Sequence, residues 1–124
     1  MRLLLDTHVA LWGLAGDAAL SDEFLDRLRH DTDIYLSPVT VWEVAIKQTA
    51  GKLTGPADLA ERVRDMGFRE LPVTSTHALL AGRLPMHHRD PFDRMLVAQA
   101  TVEGLTLATR DPDIHQYDVD TLAV

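Results

Sequence analysis

Four acids stand where carboxylates are costly unless they do chemistry: Asp6, Glu43, Asp93 and Asp111. Asp6 closes the apolar run "LLLD", and Asp111 follows "LTLATR", so each lies just past a short segment with strand character. Glu43 lies inside "VTVWEVAIK", where Val41, Trp42, Val44, Ala45 and Ile46 surround it with apolar side chains. A helix apolar almost all round is expected to be largely buried, and a buried carboxylate needs a cation or strong donors. Asp93 follows Asp90 by three in "HHRDPFDRMLVAQA", just off the apolar face of Phe92, Met95, Leu96 and Ala100. Each acid also has an ordinary use. Asp6 and Asp111 suit caps or turns, "TRDPD" being a good turn sequence. Glu43 is spaced i,i+4 from Lys47, and Asp93 suits a helix dipole. Together they differ from any one of them, because converging carboxylates repel severely unless hard cations sit among them. An oxygen-only set suits Mg²⁺ or Mn²⁺.

The elements that must position these acids are marked by punctuation. "RLLLD" (2–6) predicts a buried strand, and "THVALWGLAG" (7–16) a helix ended by glycine. Ser21 caps a helix over "DEFLDRLRH", with acids in its first turn. "DIYLS" (33–37) has strand character; Ser37 and Pro38 then open "VTVWEVAIKQTA", which Gly51 ends. Pro56 starts "PADLAERVRDM", stopped by Gly67, and "FRELPV" (68–73) reads as a strand. Thr74 or Ser75 caps "THALLAGRL", stopped by Pro85. Asp90, Pro91, Phe92 and Asp93 fit the cap and first three positions of a helix over Phe92–Ala100. After Gly104 come the strand "LTLAT" (105–109) and a final strand in "VDTLAV" (119–124). Strands alternating with helices predict an α/β fold with a doubly wound central parallel sheet flanked by helices in three layers, α/β/α. Ligand sites in such sheets lie outside the carboxyl ends of the strands, where Asp6 and Asp111 fall.

Bulk properties narrow the classes. A chain of 124 residues suits a single domain spanning 1–124. Without cysteine, disulfides and thiolate metal sites are excluded. "MRLLLDTHVALW" places three leucines before Asp6, too short and too soon charged for a secretory signal. No apolar run approaches the roughly 18 residues that span a bilayer, so the expected location is cytoplasmic, with no membrane partner. The net charge of -7 argues against holding nucleic acid on a broad basic face. It leaves open holding it through bound metal ions.

At these residues the chain resembles PIN-domain ribonucleases, and within them VapC-type toxins of toxin–antitoxin pairs. The resemblance rests on "LLLDTHVALW", "VTVWEVAIK", "HHRDPFDRMLVAQA" and "LTLATRD", in that order over essentially the whole chain. It implies Mg²⁺- or Mn²⁺-dependent cleavage of RNA, with the family's acids falling on Asp6, Glu43, Asp93 and Asp111. Asp90 then serves as a cap, a supporting group or an outer ligand, and Thr7 and Thr109 hold water or a carboxylate through their hydroxyls. It further implies a homodimer and a small DNA-binding antitoxin of the VapB kind. Because the site is acidic, that partner is expected to direct an Arg or Lys at the acids; Trp12 and Trp42 are candidates for its groove, core packing being the alternative. The mechanism expected is hydrolysis by an activated water, leaving a 5′ phosphate and a 3′ hydroxyl.

Several further residues carry weaker signals. Arg89, Arg94 and Arg110 adjoin site acids and suit either RNA phosphates or ion pairs with the acids. His87-His88 lacks the matched ligands of a zinc site, His8 suits packing inside the first helix, and Asp113 is a weaker site candidate than Asp111. A phosphatase with Asp6 as nucleophile would want an acid at position 8, which is His. A receiver domain would want an acidic pair near the first strand, which is missing. The alternative from another class is a PIN-like RNA-binding or interaction module without turnover.

Overall fold

The computed structural model describes every residue from Met1 to Val124. The chain runs β1 (Leu3–Leu5), α1 (Thr7–Ala15), α2 (Asp22–His30), β2 (Ile34–Leu36), α3 (Pro38–Thr49), α4 (Leu59–Arg64), β3 (Arg69–Glu70), α5 (Ser75–Arg83), α6 (Pro91–Glu103), β4 (Thr106–Ala108), a 3-10 turn at Ile114–Gln116, and β5 (Thr121–Leu122). The strands form one sheet in the order β3-β2-β1-β4-β5. Every pairing is parallel; Leu3 faces Ile34 on one side and Thr106 on the other.

Period-two alternation explains why three leucines in a row suffice at the centre. Leu3 and Leu5 pack with Val9, Phe24, Leu28 and Val63, under α1, α2 and α4. Leu4 points the other way, to Leu96, Val97, Leu107 and Ile114, under α6. All three are wholly buried, as expected for a parallel sheet covered on both faces. The expected three-layer α/β/α architecture is therefore the one observed.

Caps fix the helix starts. Ser21, Ser37, Thr74 and Asp90 each accept a backbone N–H of the turn that follows. Thr74 and His77 complete a reciprocal capping box. Gly104 ends α6 at φ 67°, a left-handed conformation that favours glycine.

Four elements differ from expectation. The helix expected from Pro56 begins only at Leu59, after a turn. The strand expected over 68–73 shrinks to two exposed residues, because Pro72 has no N–H to continue the ladder beyond Leu71. The helix α6 runs past Ala100 to Glu103. The helix α3 is not buried all round: Val39, Thr40, Glu43 and Val44 face inward, whereas Trp42, Ala45 and Ile46 are exposed. Glu43 is thus buried on the one face that packs, and the remaining apolar side chains lie open.

Arg94 holds the α5–α6 connection, the segment that carries Asp90. Its buried guanidinium donates to the carbonyls of Ala81 (2.8 Å), Leu84 (2.9 Å) and Pro85 (3.0 Å). Tyr117 reinforces it, its hydroxyl donating to the Pro85 carbonyl at 2.7 Å and accepting from the His88 N–H at 2.9 Å. Arg94 is thus engaged by backbone carbonyls and pairs with no site acid, one of the two uses considered for it from sequence. Replacing it with methionine should strand these carbonyls and cost about 2–4 kcal/mol. Urea unfolding of Arg94→Met checks this; a loss under about 0.5 kcal/mol contradicts the structural role.

Candidate active site

The strand order reverses direction at β1. From there the chain winds outward through β2 and β3, then returns to place β4 on the other side. The carboxyl ends of β1 and β4 thus frame the topological switch point, where ligands bind in folds of this kind. The four acids singled out by the sequence reach this edge from four elements.

Asp6 leaves β1 and caps α1. Its Oδ1 accepts the Val9 N–H at 2.8 Å, and its Oδ2 accepts a short hydrogen bond from the Thr109 hydroxyl. Burial raises its pKa, the bonds from Thr109 and Val9 oppose the rise, and nearby Asp111 adds to it. Thr109, wholly buried after β4, also accepts the Asp111 N–H at 3.1 Å, so one hydroxyl ties both strand ends together. Asp111 folds back on itself, its Oδ1 accepting the Asp113 N–H at 2.9 Å.

Glu43 is 2% exposed. Thr7 donates to its Oε1 at 2.6 Å, and the Lys47 ammonium pairs closely with its Oε2. Thr7 and Thr109 thus hold carboxylates through their hydroxyls, one of the two uses expected for them.

Asp93 is the least supported of the four. Burial pushes its pKa up to about 7, with the negative charges of Asp90, Glu43 and Asp6 adding to the rise and His88 opposing it. Asp90 caps α6, its Oδ1 accepting from Phe92 N (2.8 Å) and Asp93 N (3.4 Å).

His88 is the residue that sequence reasoning undervalued. Its Nε2 lies 3.0 Å from Asp93 Oδ2 and 2.9 Å from Asp111 Oδ2, bridging the two acids. Its Nδ1 accepts the Asp90 N–H at 3.1 Å, which places the ring proton on Nε2. Burial lowers its pKa, but the hydrogen bond to Asp111 and the charges of Asp93, Asp111 and Asp90 outweigh that and raise it. The Asp90 N–H resists this rise, because a protonated Nδ1 has no lone pair to offer it. The available signal was position: His88 immediately precedes the capped helix that presents Asp93.

The acids do not form one equidistant cage. Asp6, Glu43, Asp90 and Asp93 share one concentration of negative charge, while Asp111 turns toward His88 and Asp113, whose ligand atoms lie within 4.8 Å of its own. His87 is exposed and stacks edge-on against Tyr117, away from this group. The other residues named from sequence fall outside it. Arg110 lies over the Trp12 ring at 4.7 Å and bonds to the Ala19 and Val124 carbonyls. Arg89 is exposed. His8 is exposed against Trp12, not packed within its helix. Trp12 packs partly against the core, whereas Trp42 is 59% exposed and meets Phe92 edge-on.

Fold and geometry together define an α/β domain with a buried to half-buried acid cluster at its switch point, and the comparisons give that class a family. The PIN domain family model matches residues 3–120. Ribonuclease VapC22 of Mycobacterium tuberculosis is 31% identical over 122 residues, covering 93% of this chain and 91% of that protein. The chain belongs to the PIN-domain family. Solved structures share its fold at lower identity. A chain of VapBC2 from Rickettsia felis, bound to a DNA fragment from their promoter, superposes with a TM-score of 0.74 at 13% identity over 98% of both chains. A chain of VapBC-5, a toxin-antitoxin system member from Mycobacterium tuberculosis, gives 0.64 at 20% identity over 100% of both.

The raised acids set a pH dependence. Asp93 keeps its proton to about pH 7 in the folded chain, but releases it near pH 4 when unfolded. Stability associated with this group is complete below pH 4 and is lost as pH rises through 7; Asp6 acts in the same direction. The melting temperature of the metal-free protein should therefore fall between about pH 4 and pH 7. Asp93→Asn should flatten that fall, while Asp90→Asn, which keeps the cap, should fold with near-normal stability. A pH series of thermal melts checks both; an Asp93→Asn profile as steep as the parent's contradicts the assignment.

Proposed function

We propose that this chain is a divalent-metal-dependent endoribonuclease and the toxin of a toxin–antitoxin pair, with Asp6, Glu43, Asp93 and Asp111 holding the metal. The observation that carries the proposal is the convergence of carboxylates at the switch point, Asp6 and Glu43 buried and Asp93 and Asp111 half-buried, with burial and the charges of Asp90, Glu43 and Asp6 pushing Asp93 up to about 7. Membership of the PIN family and likeness to a protein named a ribonuclease support it.

The residues fit a hard divalent cation. The donor set at Asp6, Glu43, Asp93 and Asp111 is all carboxylate oxygen, the type that suits Mg²⁺ or Mn²⁺. When bound, such an ion supplies an acidified water and neutralises charge developing on the scissile phosphate and its leaving oxygen. The protein's own part is orientation. Thr109 and Val9 fix the Asp6 carboxylate, Thr7 fixes Glu43, and Arg94 with Tyr117 pins the loop that delivers His88 and Asp90. His88 stands between Asp93 and Asp111 with a proton on Nε2, able to hold either carboxylate or pass a proton to it. With a net charge of -7, the chain meets RNA through the metal and local arginines, exposed Arg89 among them, and not through a basic face.

Residues 1–124 form a single nuclease domain in this proposal. A cytoplasmic location follows from the RNA substrate, and no helix is long and apolar enough to cross a membrane. The structural neighbours include VapBC complexes bound to DNA. By analogy, the partners are a small DNA-binding antitoxin and a second copy of the chain.

Purified protein freed of any partner should cleave total RNA with Mg²⁺ or Mn²⁺ and stop on addition of chelator, leaving 5′ phosphates. Asp93→Asn should retain the fold and lose at least about 100-fold in rate. Expression in a bacterial host should arrest growth, and Asp6→Asn should not. Near-normal metal-dependent cleavage by Asp93→Asn would overturn the assignment at that position. A soluble wild-type chain that leaves growth unaffected would overturn the toxin role.

A further inference from the structure

Glu43 is almost wholly buried, and both of its carboxylate oxygens are already engaged, Oε1 by Thr7 and Oε2 by Lys47. Lys47 belongs to the same helix four residues on, so the pair forms with α3 itself, whatever the rest of the site does. Asp90 and Asp93 are near enough for their charges to add to the pull of Glu43 in favouring the ammonium form of Lys47. Its side chain is 34% exposed, so the four-carbon stem has a route to solvent.

Composition sharpens the point. The chain has two lysines, Lys47 and Lys52, against ten arginines. Both lysines line one cleft beside Glu43, together with Thr7 and His8. An ammonium is a compact point charge, close in kind to a small ion. A guanidinium would fork onto the carboxylate through two bonds and be harder to displace.

We propose that Lys47 is a built-in counter-cation of the acid site: its ammonium neutralises Glu43 when no divalent ion is bound, and leaves that carboxylate when one binds. The proposal rests on the assignment of Glu43 to the metal site. It makes Lys47 a positioning residue. It keeps a buried acid from destabilising the metal-free fold, and it weakens metal affinity by competing for the same oxygen. Once displaced, the ammonium swings into the cleft shared with Lys52, where an anionic substrate would meet it.

The test compares wild type, Lys47→Met, Lys47→Arg and Lys52→Met by thermal melting without metal and by calorimetric titration with Mn²⁺ alone. Lys47→Met keeps the apolar stem and removes the charge. Its metal-free melting temperature should drop, while Mn²⁺ should bind about tenfold more tightly, the scale of one close charge at a partly buried site. Lys47→Arg should restore the metal-free melting temperature. Lys52→Met, which removes a charge from the same cleft without touching Glu43, should change Mn²⁺ affinity less than about twofold. In a Glu43→Gln background, Lys47→Met should lose its effect on Mn²⁺ affinity. Should Lys47→Met not fold without metal, folding restored by millimolar Mn²⁺, read by circular dichroism, supports the proposal; a chain that stays unfolded overturns it. Unchanged or weaker Mn²⁺ binding in Lys47→Met, or an equal effect in the Glu43→Gln background, also overturns it. A wild-type chain that binds no Mn²⁺ fails the metal-site assignment itself, and this proposal falls with it.

Discussion

Mutual repulsion among carboxylates gathered at one sheet edge is the constraint to which the rest of this structure answers. Each acid that is held firmly has a local partner: Asp6 has Thr109 and the Val9 N–H, Glu43 has Thr7 and Lys47, and Asp111 has the Asp113 N–H and His88. Asp93 has only a shared contact with His88, and it carries the large shift, to about 7. Burial is the larger cause of that shift, and the charges of Asp90, Glu43 and Asp6 add to it. The neighbouring core is what holds the acids together against their repulsion. Leu3, Leu4 and Leu5 are wholly buried immediately before Asp6, and Leu107 and Ala108 immediately before Thr109. The strands cannot separate to relieve the repulsion without exposing both layers.

The topology makes such a site inexpensive to assemble. In a doubly wound sheet the strand ends flanking the switch point project side by side with no connection crossing between them. Asp6 and Thr109 need only follow β1 and β4 to meet, although 103 residues separate them in sequence. The helices supply the rest from their first turns or inner faces. Asp93 is the third residue of α6, and Glu43 faces inward one turn into α3. The long loop before α6 is the exception. It has no regular structure to fix it, and the buried Arg94 supplies the bonds a ladder would otherwise make.

Much of this was legible in the sequence because the signals were local. Ser21, Ser37 and Asp90 announce helix starts, Gly104 announces an end, and the leucine triplet announces a doubly covered strand. The four acids stood out because each follows or interrupts an apolar run. What was not legible depended on distant partners. Burial of α3 on one face only is decided by what packs against it, so Trp42 and Ile46 are exposed despite their composition. The buried Arg94 looks like any surface arginine until the carbonyls around it are known. His88 resembled half of an unconvincing zinc pair until the fold brought Asp93 and Asp111 to its Nε2.

The central claim is that these carboxylates exist to hold a divalent cation. Crystals of the wild-type chain grown with Mn²⁺, with anomalous diffraction measured near the manganese edge, test it most directly. The expected result is an anomalous peak coordinated by Asp6 and Asp93, with Glu43 and Asp111 completing the oxygen set. A peak confined to His88, Asp111 and Asp113, or no peak at this edge of the sheet at millimolar Mn²⁺, would contradict it.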